Sequence, residues 1–435
     1  MIIHTVVPGD TIYRIARMHN VPASRIITDN MLSDPGRLIV GETLVILFPT
    51  ETYTVRGGDT LSSIAARFQV SLLSLYQNNP VLNGEPAVYP GQTLNIRYVP
   101  QVNAPIRVNG YAYPYIDRTV LRRTLPFLTY LSIFGYGITE LGDLIPPQGD
   151  EAALISLAKN YHTVPLLTLT SLSENGTFSS ALANRVLTDA ALQEKVIQSV
   201  TDVVKQNGYG GVDVDFEYIP QESAAAYANF VGAIREKLEQ DYEVFVSAAP
   251  KASADQPGLL YGGHDYRLLG EAADMVLLMT YEWGYTFGPP MAVSPLPQVK
   301  RVLDYGVTEI PRAKILMGVP NYGYDWPLPY VRGTTKAESL SNVAAVHRAG
   351  IRNAAIRFDE TAQSPYYTYY DRPAQANGAV EHEVWFENAS SAEAMLSLVA
   401  EYGLGGIGVW NIMQYFPSLW LVMNQLYPIE KHDIQ

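Results

Sequence analysis

From about residue 105 onward, short continuous apolar runs alternate with stretches whose apolar residues recur at helical spacing. The runs are Arg107–Tyr113, Tyr130–Tyr136, Val164–Thr170, Gly211–Tyr218, Glu243–Ala249, Met275–Tyr281, Ile315–Pro320 and Gly405–Trp410. Apolar runs without alternation are covered on both faces, as the strands of a parallel sheet are. Helical patterns lie between several of them, notably Ala181–Gln206, Gln221–Glu239, Leu296–Tyr305 and Ser391–Tyr402. Eight strands with interposed helices over about 330 residues predict an α/β fold, a (β/α)8 barrel; a doubly wound sheet would need fewer strands. From Pro327 to about Phe386, between the seventh strand and the helix leading to the eighth, aromatic strands alternate with turn residues. Ile356-Arg357-Phe358-Asp359, Pro365-Tyr366-Tyr367-Thr368-Tyr369-Tyr370-Asp371 and Glu381-His382-Glu383-Val384-Trp385-Phe386 predict a small α+β insertion with an antiparallel sheet beside the barrel mouth. Its tyrosines either fill the insertion's own core or deepen a groove.

The first hundred residues have a different rhythm, and it repeats. His4-Thr5-Val6-Val7-Pro8-Gly9-Asp10-Thr11-Ile12 aligns with Tyr53-Thr54-Val55-Arg56-Gly57-Gly58-Asp59-Thr60-Leu61, Asn30 with Asn79, and Gly41-Glu42-Thr43-Leu44 with Gly91-Gln92-Thr93-Leu94. Each copy reads as a strand, a helix start at Gly-Asp-Thr, two short amphipathic helices and a second strand, with Asp10 and Asp59 placed as helix N-caps. Ile12, Ile15 and Ala16, like Leu61, Ile64 and Ala65, share one helical face and should be core. This pattern resembles the LysM module, a βααβ domain that binds N-acetylglucosamine-containing glycans such as peptidoglycan and chitin. The resemblance implies glycan contact by the loops Gly9, Asp10, Thr11, Ile12 and Gly58, Asp59, Thr60, Leu61. Two weak sites on one chain would raise the effective concentration on a repeating polymer. Tyr98-Val99-Pro100-Gln101-Val102-Asn103-Ala104-Pro105 carries two prolines and little periodicity, so it is the expected linker. The expected domains are residues 1–49, 50–99 and 100–435, the last with its insertion at about 327–386.

Composition narrows the chemistry. With 30 basic and 43 acidic side chains among 435 residues, the formal charge is −13, which argues against nucleic acid or an anionic membrane surface and favours a neutral polymer. There are no cysteines, and the seven histidines show no HExxH or similar spacing, so neither a metal nor another cofactor is expected. No stretch approaches the ~20 apolar residues that span a bilayer. The N-terminus enters a strand-like run at once and lacks the regions of a signal peptide. A monomer is expected.

The chemistry concentrates in Gly210-Gly211-Val212-Asp213-Val214-Asp215-Phe216-Glu217-Tyr218. Alternation along a strand puts Asp213, Asp215 and Glu217 on one face, about 7 Å apart. At that spacing in a partly dry site they cannot titrate independently, so at least one should hold a proton at neutral pH. An acid at the C-terminal end of a barrel strand lies where such barrels place their active sites. Asp-x-Asp-x-Glu after two glycines resembles the signature of the family-18 glycoside hydrolases, the chitinases and related N-acetylglucosaminidases. Met279-Thr280-Tyr281 at the end of the sixth strand and Trp410 at the end of the eighth are similar to that family's motifs.

The resemblance implies Glu217 as proton donor, Asp215 orienting a 2-acetamido group that acts as nucleophile, and Asp213 sharing a proton with Asp215. Tyr281 would bond the acetamido oxygen and Trp410 would floor the sugar subsite. Met279 either packs in the core or meets substrate, and the glycines before Trp410 would admit something bulky. Glu282 stands where chitinases often carry Asp, and Thr168-Leu169-Thr170-Ser171 lacks their Ser-x-Gly-Gly, which puts chitin in doubt as the substrate. Two LysM copies, no signal peptide and the segment His382-Glu383-Val384-Trp385-Phe386-Glu387-Asn388 resemble the spore cortex-lytic N-acetylglucosaminidases of endospore-forming bacteria. That implies a spore protein cleaving peptidoglycan after N-acetylglucosamine, with retention. A chitinase-like enzyme and a catalytically silent glycan-binding coat protein are the alternatives.

Overall fold

The computed structural model describes residues 1–99, 101–371 and 378–432. Pro100 of the expected linker and part of the expected insertion, residues 372–377, lie outside the described residues. Eight parallel strands close into a barrel. In chain order they are Arg107–Ala112, Tyr130–Ile138, Val164–Thr170, Gly211–Asp215, Glu243–Ala248, Met275–Leu278, Ile315–Pro320 and Gly406–Trp410. Each pairs in parallel with its neighbours, and the eighth pairs with the first, Ile407 opposite Val108. Alternate side chains fill the barrel interior, among them Tyr111, Tyr130, Leu166, Phe245, Leu277 and Leu316, while the others pack against the helical ring.

Two strands end three residues before the sequence suggests, for a visible reason. The fourth stops at Asp215 because the Phe216 N–H leaves the ladder and donates to the Tyr227 hydroxyl. The sixth stops at Leu278, where the amides of Thr280 and Tyr281 turn back onto the carbonyls of Leu278 and Met279. The helix expected over Ala181–Gln206 is two, Ser180–Thr188 and Ala190–Asn207. Asp189 separates them because its carboxylate accepts from Ala191 and Leu192 N–H, competing with a continuous helix. The glycines of the eighth strand admit protein rather than ligand. A Cβ on Gly408 would lie 2.4 Å from Leu277, and one on Gly406 1.8 Å from the Arg107 carbonyl.

The insertion is a five-stranded antiparallel sheet in the order Glu338–Leu340, Gly323–Pro327, Val380–Trp385, Ser364–Asp371, Arg357–Asp359, with the helix Asn342–Arg352 packed on it. It begins at Gly323, ahead of Pro327. Its tyrosines divide between the two expected roles. Tyr367 and Tyr369 are buried in the insertion's core, whereas Tyr366 stacks on Trp385 at 4.7 Å in a cluster that includes Tyr281.

Both N-terminal copies fold as βααβ. The first pairs Ile2–Thr5 with Thr43–Ile46 around the helices Ile12–His19 and Ala23–Asp29. The second pairs Glu51–Thr54 with Thr93–Arg97 around Leu61–Phe68 and Leu72–Asn78. The helix caps are Thr11 and Thr60, not the aspartates. Each helix starts one residue later than expected, so Asp10 instead closes the preceding turn by accepting from Val7 N–H, and Asp59 from Arg56 N–H. Asn30 and Asn79 are brackets that bond both faces of one residue on the closing strand, Val45 and Asn95 respectively.

The modules are docked on the barrel domain rather than tethered to it. Val45 and Leu47 belong to the barrel's own core, and Ile356 N–H donates to the Val40 carbonyl. Tyr161 donates to the Gly84 carbonyl at 2.7 Å and Gln77 to that of Pro126 at 2.8 Å. The expected linker is held too, by Gln101 on the Asn424 carbonyl and Asn103 on that of Leu426. Among the described residues no helix is long and apolar enough to cross a membrane.

Candidate active site

At the C-terminal ends of the strands lies a cleft of about 820 Å³, lined by Asp215, Glu217, Met279, Tyr281, Glu282 and Trp410 together with Tyr113 and Phe134. Parallel pairing aligns Thr170 with Asp215, which brings the fourth strand's carboxylates to the mouth. Asp213 lies one pleat deeper and is fully buried. Its Oδ2 accepts from Ser132 Oγ at 2.9 Å and its Oδ1 from Ser247 Oγ at 3.4 Å. Burial pushes its pKa up, while donation from Tyr111, Ser132 and Ser247 pulls against that rise. Among the described residues no hydrogen bond joins Asp213 to Asp215, and the serine hydroxyls hold Asp213 in place.

Asp215 is the poorly served member. It is 6% exposed and its Oδ1 is buried with no donor. Burial raises its pKa well above the usual range, and the charges of Glu217 and Asp213 add to that. A buried carboxylate oxygen without a partner calls for a donor from a ligand or from a neighbouring acid. Glu217 sits just past the strand end, half-buried, with its pKa pushed up to about 7 by burial first and by the negative charge of Glu282 second. It therefore retains its proton near neutrality and can give it to a leaving oxygen.

Glu282, at φ 66, is open to solvent as a residue, yet its carboxylate accepts from the hydroxyls of Tyr322 and Tyr324, and partial burial raises its pKa. Tyr281 is 8% exposed, and its hydroxyl pKa is raised by burial and then by the charges of Asp215, Glu217, Glu282 and Asp213. Trp410 is half-buried, edge-on to Phe134 at 5.0 Å and tilted on Tyr111 at 5.6 Å, with its remaining surface on the cleft. Met279 is half-buried, packing on both the barrel interior and the insertion cluster while lining the cleft, so both of its expected roles have a place. Among the described residues no group of three or more His, Cys, Asp or Glu side chains could hold a metal ion.

The module loops lie on the surface. Gly9, Thr11, Gly58 and Thr60 are exposed, and both glycines have φ near +90°, a conformation other residues rarely adopt. Asp10 and Asp59 are partly covered, whereas Ile12 and Leu61 point into the module cores, leaving only their backbone toward a ligand.

Sequence reasoning missed Ser132, Ser247, Tyr322 and Tyr324. The serines carried a signal: each is a hydroxyl at an inward position of an otherwise apolar strand. The tyrosines carried none, because they reach Glu282 from about 40 residues along the chain.

Comparison with known proteins extends the likeness to the whole chain. The family described as glycosyl hydrolases family 18 matches residues 153–414, and the LysM domain matches residues 4–47 and 53–97. The "Cortical fragment-lytic enzyme" of Bacillus subtilis (strain 168) is 36% identical over 438 residues, covering 99% of each chain. The crystal structure of the Bacillus cereus spore cortex-lytic enzyme SleL is 35% identical, covers 99% of this chain and 98% of that one, and superposes with a TM-score of 0.83. The SleL structure from Bacillus megaterium QM B1551 is 33% identical over 99% of both chains, with a TM-score of 0.82. A match that runs from the first module to the last barrel helix leaves no part of the architecture unaccounted for, and the protein belongs to the glycosyl hydrolases of family 18, a glycoside hydrolase with two N-terminal LysM domains.

Proposed function

We propose that the protein is a spore-associated N-acetylglucosaminidase that hydrolyses cortex peptidoglycan at the β-1,4 bond following N-acetylglucosamine, by substrate-assisted catalysis with retention. The observation that carries this is Asp215: a buried, unpartnered carboxylate oxygen in the same cleft as Glu217, whose pKa burial pushes up to about 7. The third carboxylate of the cleft, Glu282, is engaged by two tyrosines, which leaves Asp215 and Glu217 to carry the reaction between them. This family departs from the two-carboxylate scheme by using the substrate's own acetamido group.

In this mechanism the sugar sits over Trp410, with Met279 and Glu282 on the walls. Asp215 accepts the acetamido N–H and Tyr281 donates to its oxygen, aiming that oxygen at C1. Glu217 gives its proton to the glycosidic oxygen as the C1–O bond breaks and the acetamido oxygen bonds C1, forming an oxazolinium ion that Asp215 stabilises. Asp213, held by its serine donors beneath Asp215, shares a proton with it and tunes its charge. A water then attacks C1 and passes its proton to Glu217, reopening the ring with the β configuration restored. Muramic δ-lactam, whose nitrogen is tied into a ring, cannot take the reacting position.

The names of the curated relatives support cortex fragments as substrate, and the exposed Gly9–Ile12 and Gly58–Leu61 loops support attachment to the same polymer. Mass spectrometry of digested cortex fragments tests the bond: reducing ends should be N-acetylglucosamine, and reducing muramic acid or its lactam would refute it. Glu217→Gln should lose turnover while still binding peptidoglycan. Turnover by that variant would remove Glu217 as the acid.

A further inference from the structure

We infer that His264 and Tyr227 are positioning residues for the proton donor, gripping the backbone C=O and N–H of Phe216, the residue that separates Asp215 from Glu217. The inference rests on Glu217 being the acid, as proposed above.

The sheet does not itself fix Glu217. Strand pairing ends at Asp215, and Tyr218 at φ 57 turns the chain away. A carboxyl that must meet one glycosidic oxygen needs its backbone held by something else. The Phe216 N–H donates to the Tyr227 hydroxyl at 3.3 Å, and that hydroxyl donates back to the Val214 carbonyl at 3.3 Å. On the other side the Phe216 carbonyl lies 3.0 Å from His264 Nε2. Which nitrogen bears the proton follows from the second contact of the ring: His264 Nδ1 accepts from Ala249 N–H at 2.6 Å, so Nε2 carries the hydrogen and donates.

His264 is fully buried, and burial pushes its pKa down to about 4, so the ring stays neutral and the grip does not switch near neutrality. Rings lock the arrangement in place. Tyr227 stacks on Phe216 at 5.8 Å and 5°, Phe216 stacks on Phe230 at 5.4 Å, and His264 packs on Tyr227 at 5.8 Å.

The loop that brings His264 also holds the chain beyond Glu217. Gly263 N–H donates to the Ile219 carbonyl at 2.9 Å, and a Cβ on Gly263 would lie 2.3 Å from the Ile219 side chain, so only glycine allows this approach. Ser180 Oγ takes the Tyr218 carbonyl at 2.6 Å. Three carbonyls around Glu217, those of Phe216, Tyr218 and Ile219, are thus captured by groups from elsewhere in the chain. Neither His264 nor Tyr227 lines the cleft, so any effect on the reaction passes through the backbone.

Two substitutions of His264 separate gripping from filling space. His264→Asn keeps an acceptor near the Nδ1 position, for Ala249, and loses the donor to Phe216. His264→Gln places an amide N–H near the Nε2 position and keeps that donor. Tyr227→Phe removes only a hydroxyl and retains the stack. On cortex fragments His264→Asn and Tyr227→Phe should lower kcat about 10- to 100-fold, the scale of a misplaced catalytic group, with KM within about twofold. His264→Gln should recover most of the loss. The basic limb of the pH–rate profile should move to lower pH in the two impaired variants, because a loosened Glu217 gains solvent.

Wild-type kcat and an unmoved limb in folded Tyr227→Phe would overturn the inference, and this variant decides alone if His264→Asn does not fold. Equal loss in His264→Asn and His264→Gln would overturn the role of the Nε2 donor. Glu217→Gln in the same series distinguishes the two failures: if it is active, the acid assignment is wrong, and if it is dead while Tyr227→Phe is wild type, only the positioning role is.

Discussion

Glu282→Gln removes one negative charge from beside the acid while leaving an amide oxygen to accept from Tyr322 and Tyr324, so the wall of the cleft should hold its shape. Glu217 stands at about 7 against an ordinary 4.5, a difference of about 2.5 pH units from two causes, burial the larger and Glu282 the smaller. The charge of Glu282 therefore accounts for less than half, at most about 1.2 pH units, or roughly 1.6 kcal/mol at 1.36 kcal/mol per unit. A negative neighbour opposes ionisation, so removing it lowers the pKa of Glu217. The basic limb of kcat/KM, which reports the free enzyme's acid, should fall from near pH 7 toward pH 6 and no further. Relative to its own value at pH 5, the variant at pH 8 should lose up to about 13-fold against wild type, as the protonated fractions for a limb 1.2 pH units lower give. The assay is kcat/KM on purified cortex fragments from pH 4 to 9, read for the shape of the profile rather than its height, since Glu282 also faces the substrate. A limb that stays put or moves up would refute the coupling, and one that falls by more than half of the difference would refute burial as the main cause.

Two further outcomes follow from groups outside the cleft. Glu387 is buried with Oε1 unpartnered and its pKa raised to about 8, above its unfolded value, so the folded state binds the extra proton and stability should decline as pH rises from about 4.5 to 8. Thermal melts of Glu387→Gln should lose most of that decline, with a gain of a few kcal/mol at pH 8, and an unchanged slope would show that the side chain is not held neutral. Gly41 and Gly91 have φ of 87° and 89°, but a Cβ on Gly41 would sit 1.9 Å from the Ile356 carbonyl, whereas one on Gly91 meets nothing within 4 Å. Both alanine variants should strain their modules, and only Gly41→Ala should also undock the first one, seen as faster proteolysis ahead of residue 50. Equal cleavage of the two would contradict this docking.

Much of this was open to reading because the informative signals are local. The eight apolar runs, the repeat and the spacing of Asp213, Asp215 and Glu217 each lie within a few residues, and period alone assigns them. What escaped depends on partners distant in sequence. Whether a strand reaches Glu217 or stops at Asp215 is decided by the Tyr227 hydroxyl, and whether Gly408 admits a sugar or a leucine is decided by Leu277. The Thr-for-Asp exchange at both caps turned on a one-residue offset, below the resolution of a pattern. All three carboxylates proposed for catalysis were legible, while the serines and tyrosines that bond Asp213 and Glu282 were not.

The docking of the modules changes what multivalency means for this enzyme. A tethered anchor samples many distances, so its benefit is averaged over all of them and declines smoothly with reach. Modules held by Val40 on Ile356 and by Gly84 on Tyr161 stand at one distance from Glu217, and that distance becomes a ruler. A glycan long enough to touch both a module loop and the cleft gains the full advantage, and a shorter one gains none. Cleavage rate against fragment length is therefore expected to show a step rather than a slope, marking the minimum piece of wall that the enzyme treats as polymer.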